Sequence, residues 1–329
     1  MKKTFLLAAL VSLAMVGCKQ KSEPAPAAET PAAEEGAAVY MTTDITPESL
    51  IKVYEALGVK AEGRVGVKIS SGEGGNKHYL QPALIGPFVK LVNGTLVECN
   101  TAYPGTRMDT KSHWQTIREH GFLDIAKFDL MDEEGTMQIP VADTTHIKYD
   151  IVGSHLSNYD FLVSLAHFKG HAMGGYGGVL KNQSIGVAST AGKLYIHSAG
   201  RSTTEWIDDN QDGFLESMAA AAQGVHNYFK QPGRNIIYIN VMNNISIDCD
   251  CDGNPSAPEL KDMGILASTD PVALDQACLD LVYKHQNTPG DDNTKLIERI
   301  EKQHGVHTIE HAEKIGLGTR KYHIVNIDK

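Results

Sequence analysis

The sequence lacks an excess of basic residues. Its 329 residues include 30 lysines and arginines against 40 aspartates and glutamates, and the formal net charge at pH 7 is −10. Proteins that bind nucleic acid through its phosphates usually carry the opposite balance. The composition therefore argues against nucleic acid as a partner, while a hydrophobic fraction of 42% is ordinary for a globular protein.

Cysteine is also scarce, and its spacing excludes one class of cofactor. The chain has five cysteines, and no Cys-x-x-Cys-x-x-Cys run of the kind that holds a ferredoxin-type cluster occurs anywhere in it. Phosphate-loop and dinucleotide-binding spacings are absent from the glycine-rich stretch at residues 70–76 as well. An intrinsic ferredoxin-type cluster is therefore not expected, and nucleotide binding is not favoured.

Long apolar runs are absent except near the N-terminus. Residues 5–16 are apolar, follow two lysines and end in small residues, which predicts a secretory signal over residues 1–17. The run is too short to span a bilayer as a permanent helix. Because Cys18 directly follows Gly17, the segment is similar to a bacterial lipobox, and we expect Cys18 to be lipidated; a secreted form without lipid is the alternative.

The remaining chain divides by composition. Residues 18–38 are rich in Ala, Pro, Glu and Ser, which predicts a flexible linker behind the lipid anchor. We expect an exported protein held on the periplasmic or cell-surface side of a membrane. From residue 39 to residue 329, predicted strands alternate with predicted helices. This pattern predicts an α/β domain with a mostly parallel, Rossmann-like sheet covered by helices on both faces.

Two stretches concentrate chemistry where predicted strands end, which is where sites form in open α/β sheets. In the first, residues 247–255, Cys249 and Cys251 are one residue apart and would share a face in extended chain. Two thiolates can bind zinc or iron but supply only half of a usual ligand set. A disulfide-linked pair in an acidic turn is the alternative interpretation.

The second stretch, residues 167–182, combines histidines, lysines and glycines after a buried strand. His167 and His171 are candidate metal ligands, and Lys169 and Lys181 could hold a carboxylate or phosphate. A glycine-rich loop with surface histidines is the alternative. Residues that could form a ligand cradle in or near this stretch are Gly174, Gly175, Gly177, Gly178, Asn182 and, from an earlier strand end, Arg107.

Three runs of sequence together resemble one family. They are residues 100–107 with 119–122, residues 167–182, and residues 262–275. Together they resemble the family called domain of unknown function 362. Its members are often labelled uncharacterised iron–sulfur-centre proteins. Many relatives carry a ferredoxin module after the segment matching residues 192–197, which this chain lacks. The resemblance also implies a C-terminal helix pair, which would account for His304, His307 and His311 without a metal.

Three functions follow as hypotheses. In the leading one, Cys249, Cys251, His167 and His171 bind zinc or iron, and Lys169, Lys181 and Asp250 serve a redox or metal-assisted reaction. In the second, a metal-free enzyme binds an anionic small molecule and uses the cysteine pair as a reactive thiol or redox switch. In the third, a non-enzymatic surface lipoprotein captures a metal or a partner.

Overall fold

An eight-stranded sheet forms the centre of the protein in the computed structural model, which describes residues 36–328. The predicted signal sequence, Cys18 and most of the predicted linker lie outside the described residues. The first strand begins at Ala37, within the stretch assigned to the linker. None of the helices in residues 36–328 is long and apolar enough to cross a membrane.

Strands and helices alternate through much of the described chain. The strands are β1 (Ala37–Thr42), β2 (Val65–Lys68), β3 (Thr95–Glu98), β4 (Phe128–Leu130), β5 (Thr136–Pro140), β6 (Tyr149–Gly153), β7 (Phe161–His167), β8 (Lys169–His171), β9 (Gly175–Gly177), β10 (Asn235–Met242), β11 (Gly264–Ser268) and β12 (Tyr322–Asn326). The α-helices are α1 (Pro47–Ala56), α2 (Pro82–Leu91), α3 (Thr110–Glu119), α4 (Val179–Gln183), α5 (Thr190–His197), α6 (Gln211–Phe229), α7 (Pro271–Lys284), α8 (Thr294–Lys302) and α9 (Val306–Lys314).

The central sheet is mostly parallel. Its strand order is β12-β1-β11-β10-β7-β2-β3-β4, and only β11 runs antiparallel to its neighbours. The strands β5 and β6 form one separate antiparallel pair, and β8 and β9 form another. In the central sheet, β10, β7, β2 and β3 lie side by side and parallel, so their carboxyl ends open at one edge.

Helices cover both faces of the sheet, which confirms the predicted fold class. Alternate residues of β10 face opposite ways: Tyr238 packs into one buried cluster together with α6, α7 and α9, whereas Ile239 packs into a second with α1 and α2. Each large aliphatic or aromatic side chain buried in this way contributes about 1.5–3 kcal/mol. The sequence predicts these helices because apolar residues recur at helical spacing and caps precede them, such as Thr46 before α1 and Asp270 before α7.

One local detail differs from an interpretation of the sequence. The glycine-rich loop considered as the alternative for residues 167–182 is instead a short hairpin, β8–β9, followed directly by α4. The helix α2 contains Pro87 in its interior.

Candidate functional site

A cavity of about 490 Å³ opens at the carboxyl edge of the parallel strands. Lys68 and Glu98 are the last residues of β2 and β3, and His167 is the last of β7. All three line the cavity, together with the Cys249–Cys251 segment that follows β10. The site thus forms where parallel α/β sheets usually place it, and the two chemically dense stretches of the sequence meet there.

The hairpin β8–β9 positions the second stretch against the cavity. Gly177 and Gly178, two of the glycines predicted to form a ligand cradle, line the cavity. Gly174 lies in the hairpin turn, and Gly175 begins β9 with φ +78°. A Cβ on Gly175 would lie 3.0 Å from the Gly305 Cα, so the hairpin packs closely on the C-terminal helices.

Asp250 ties the cysteine segment to β7 and β8. One of its carboxylate oxygens lies 2.9 Å from Lys169 Nζ and the other 3.0 Å from His167 Nδ1. Burial alone would raise the pKa of Asp250, but the charges of His167 and Lys169 lower it well below the usual range. His167 Nε2 also faces the Asn243 carbonyl oxygen at 2.6 Å. Asp250 and Lys169 are thus paired with each other in this structure, and the acid–base roles predicted for them stay a prediction.

His167 is not gathered with the cysteines in the way that the four-ligand hypothesis requires. Both of its ring nitrogens face oxygen acceptors, Asp250 and the Asn243 carbonyl, so neither offers a lone pair to a metal in this arrangement. His171 does lie with the pair: one of its nitrogens and the sulfurs of Cys249 and Cys251 lie within 4.8 Å of one another.

The three remaining candidate ligands do not fit a metal as they stand. Cys249 and Cys251 are joined by a disulfide, so neither sulfur is a thiolate. His171 Nδ1 accepts hydrogen bonds from the backbone N–H groups of Met173 and Gly174, at 3.2 and 2.8 Å. The neutral ring then carries its proton on Nε2 and acts as a donor. Burial, followed by the charge of Lys181, lowers the pKa of His171 well below its usual value.

Three lysines give the cavity its electrostatic character: Lys68 and Lys193 are buried, and Lys181 is partly buried. Ion pairs at this cavity join Arg107 to Glu73 and Glu98, and Lys169 to Asp250; within residues 36–328 no ion pair includes Lys68, Lys181 or Lys193. Burial, together with the charges of nearby cations, lowers the pKa of Lys68 and of Lys181 to about 8 each. These three lysines therefore face the cavity without a carboxylate within ion-pair distance among the described residues.

Arg107 and Asn182 line the cavity but are engaged with the protein. Arg107 contacts Glu98 at 2.9 Å and donates to the Tyr103 hydroxyl at 2.8 Å. Asn182 donates to the Lys68 carbonyl oxygen at 3.0 Å, and its side-chain oxygen accepts from Lys68 Nζ at 3.2 Å. The ligand contacts predicted for Arg107 and Asn182 stay a prediction.

A buried carboxylate holds the N-terminus of the short helix α4, which carries Lys181. Asp275 on α7 accepts hydrogen bonds from the backbone N–H groups of Val179 and Leu180, at 2.9 and 3.1 Å. Burial raises its pKa to about 6. Gly178 permits this close approach, because a Cβ there would lie 2.3 Å from an Asp275 oxygen.

The cavity residues that sequence reasoning missed include Lys68, Lys193 and His197. A signal was available for Lys68, because a lysine within an otherwise apolar strand is rarely buried without a specific reason. Lys193 and His197 lie one turn apart on α5, a helix that was not predicted. The Nδ1 of His197 has no hydrogen-bond partner among the described residues, and burial lowers its pKa to about 3.

Comparison with known proteins gives one family and two distant structural likenesses. The family model described as Domain of unknown function (DUF362) matches residues 65–280. A Thermotoga maritima protein of known crystal structure is 12% identical with a TM-score of 0.42, over 82% of this chain and 58% of its own. The lactate racemase apoprotein from Thermoanaerobacterium thermosaccharolyticum is 14% identical with a TM-score of 0.44, over 76% of this chain and 57% of its own.

This chain therefore spans somewhat more than half the length of these two structures. No curated protein matches the sequence.

Proposed function

The chain belongs to the family described as Domain of unknown function (DUF362), and on that footing we propose that its cavity binds and transforms a small molecule with two negative charges. The predicted resemblance is confirmed over residues 65–280. Among the functions considered, the geometry best supports the enzyme that acts on an anionic small molecule, with the cysteine pair beside it as a redox switch.

The observation that carries this proposal is a group of three cavity lysines, two of them buried and Lys181 partly buried, without carboxylate partners among the described residues. A buried ammonium group costs several kcal/mol unless a negative charge compensates it. The ammonium groups of Lys68 and Lys193 donate to the backbone carbonyl oxygens of Ile69 and Ala188. The Nζ of Lys181 has no hydrogen-bond partner among the described residues. A dianion such as a phosphate or dicarboxylate would supply the missing charge.

The same residues provide chemistry for a reaction. With a pKa of about 8, Lys181 exists near neutral pH as both ammonium and amine, which suits a general acid or base. His171, neutral and protonated on Nε2, offers a donor to a ligand oxygen. Trp206 and Tyr103 line the same cavity and provide apolar surface for the uncharged part of the ligand.

Export and attachment to a membrane through a lipid on Cys18 are part of the proposal. They are supported by the N-terminal sequence alone, which combines a signal pattern with a cysteine after a small residue. An exported location also agrees with the oxidised state of Cys249 and Cys251, because disulfides persist mainly in oxidising compartments.

We expect Lys181→Met to weaken binding of a dianion by at least about tenfold, because the variant lacks the ammonium group that would pair with it. A tenfold loss corresponds to about 1.4 kcal/mol of binding free energy. The measurement is titration calorimetry of the purified protein with inorganic phosphate and with succinate at constant ionic strength. Acetate, with one charge, should bind more weakly than succinate.

Lys90→Met is the matched control, because Lys90 is exposed on α2 and does not line the cavity. This variant should bind phosphate and succinate like the unchanged protein. The proposal is wrong if the unchanged protein binds neither dianion at millimolar concentration, or if both lysine variants bind equally well.

A metal-bound state of the reduced pair is a second candidate, favoured by the proximity of His171, Cys249 and Cys251. Reduction would consume two electrons and two protons and convert the disulfide into two thiols. His171 would also have to release its backbone hydrogen bonds to present a lone pair.

Cobalt(II) distinguishes this candidate. After reduction with a dithiol, the protein is expected to show sulfur-to-cobalt charge-transfer absorption in the near ultraviolet, and Cys251→Ser should lose it. Absence of that absorption in the reduced protein, with both thiols verified by mass, would exclude the thiolate site.

A further inference from the structure

The disulfide between Cys249 and Cys251 lies in the wall of the same cavity that the lysines line. Both cysteines line this cavity together with His171 and Lys181. A nitrogen of His171 lies within 4.8 Å of both sulfurs, and Lys181 is close enough for its charge to act on His171 and on Asp250. A disulfide and the site proposed for a dianion are therefore neighbours.

The two sulfurs differ in their access and in their surroundings. Cys249 is 8% exposed, whereas Cys251 is only partly buried. The backbone N–H of Cys251 donates to Cys249 Sγ at 3.3 Å, and a hydrogen bond of this kind is stronger when the sulfur is a thiolate. An incoming thiolate would therefore attack Cys251 Sγ, and Cys249 would leave as the thiolate.

The carboxylates around the pair repel an anion less than their number suggests. Asp250 lies 2.9 Å from Lys169 Nζ, and Asp248 lies 3.4 Å from the Arg299 guanidinium group. The third carboxylate, Asp252, is exposed, and solvent and salt screen its charge. A negatively charged thiol can therefore approach the disulfide from the cavity.

Contacts from a distant segment hold the backbone of the pair in place. The N–H of Glu73 donates to the Asp250 carbonyl oxygen at 2.8 Å, and the Asn76 side chain donates to the Asp252 carbonyl oxygen at 2.8 Å. None of these four atoms belongs to a cysteine side chain, so reduction of the disulfide leaves the contacts intact. The two thiols then stay adjacent, which favours the return of the disulfide.

From this arrangement we propose that the cavity binds small thiols with two negative charges and that the Cys249–Cys251 disulfide oxidises them by thiol–disulfide exchange. The inference rests on the dianion site proposed above and names the class of molecule that this site takes. The cationic wall would bind the two charges of the ligand, and the disulfide would meet its sulfur. Binding would thus place the two reacting groups side by side.

The exchange takes place in two balanced steps. The thiolate of one bound molecule attacks Cys251 Sγ and forms a mixed disulfide, while the bond to Cys249 breaks and Cys249 leaves as a thiolate. The thiolate of a second molecule attacks the substrate sulfur of the mixed disulfide and releases Cys251 as a thiolate. Two thiols are thereby oxidised to one small disulfide, and their two electrons and two protons convert the protein disulfide into two thiols.

Mercaptosuccinate is the probe, because it carries one thiol and two carboxylates, and 2-mercaptoethanol is the uncharged comparison. Each rate of reduction of the purified, oxidised protein is divided by the rate of the same thiol with an uncharged disulfide, 2-hydroxyethyl disulfide. At constant ionic strength, the normalised rate should be at least about tenfold higher for mercaptosuccinate, the lower end of the gain from a charged cleft. Alkylation and mass spectrometry of the peptide that contains both cysteines measure the reduction.

Four variants test the roles of individual residues. Lys181→Met should lower the ratio of the two normalised rates severalfold or more, whereas Lys90→Met, exposed on α2 and outside the cavity, should keep it. Given the disulfide of mercaptosuccinate, Cys249→Ser should form a stable mixed disulfide at Cys251, because no second thiol resolves it. Cys251→Ser should form far less, because Cys249 is buried.

The outcomes separate this inference from the proposed function. If succinate and phosphate bind but the two normalised rates are equal, the exchange proposal is wrong and the dianion site stands. A preference for mercaptosuccinate that Lys181→Met leaves intact would also overturn the exchange proposal. If the unchanged protein binds neither succinate nor phosphate, the proposed function fails, and this inference fails with it.

Discussion

Replacing Asp250 by alanine is expected to lower the free energy of unfolding by about 3–5 kcal/mol, the range observed when one partner of a buried ion pair is removed. The Asp250 carboxylate is the shared partner of Lys169 and His167, and its side chain is 5% exposed. Without it, the Lys169 ammonium group and the His167 ring remain buried without a carboxylate partner. Urea unfolding monitored by circular dichroism measures the loss.

A double variant identifies the cause of that loss. Asp250→Ala combined with Lys169→Met removes the unpaired ammonium group and should recover part of the lost stability. Asp252→Ala, two residues further on and exposed, should cost less than about 1 kcal/mol. The ion-pair explanation would be contradicted if Asp250→Ala and Asp252→Ala destabilised the protein equally.

Gly170→Ala should lower the free energy of unfolding by about 3 kcal/mol, the upper part of the range for overpacking. A Cβ at residue 170 would lie 2.3 Å from the Ile247 carbonyl oxygen and 2.6 Å from its carbon. These are backbone atoms, and the Arg299 guanidinium group donates to the same carbonyl oxygen. The strain can be relieved only by moving the segment that carries the cysteine pair.

The same variant should therefore affect function as well as stability. Displacement of the cysteine segment deforms one wall of the cavity, so phosphate should bind more weakly in the folded Gly170→Ala protein. Gly177→Ala is the stability control, because its Cβ would meet only the flexible Lys181 side chain at 3.3 Å; the expected loss is under about 1 kcal/mol. Similar losses in both variants would refute the steric argument.

Much of the fold could be predicted from the sequence because its signals are local. The helix that starts after Asp270 carries its cap and its proline within three residues, and the buried strand β7 is a continuous apolar run. The short strands β8 and β9 and the helix α4 were missed. Their conformation depends on contacts with α7 and α8, which lie about 100 residues or more further along the chain.

The location of the site was also predictable, since strand ends in parallel sheets share one edge. The sequence did not predict which side chains meet there. Lys68 contacts Asn182 across 114 positions, and Lys193 belongs to a helix with a weak sequence signal. The same limitation applies elsewhere in the fold, where His146 contacts Glu216 across 70 positions.

The histidines of β7 and β8 show most clearly what the sequence decides and what the tertiary structure decides. The sequence by itself determined that a buried strand delivers His167 and His171 to the carboxyl edge, near a cysteine pair and several cations. Only the tertiary structure decided that His167 bonds Asp250 and the Asn243 carbonyl while His171 approaches the cysteines. The reason is physical. Within a strand or helix, residue spacing sets the direction of each side chain. Beyond the end of a strand, the direction of a side chain depends on the distant segment that packs against that part of the chain.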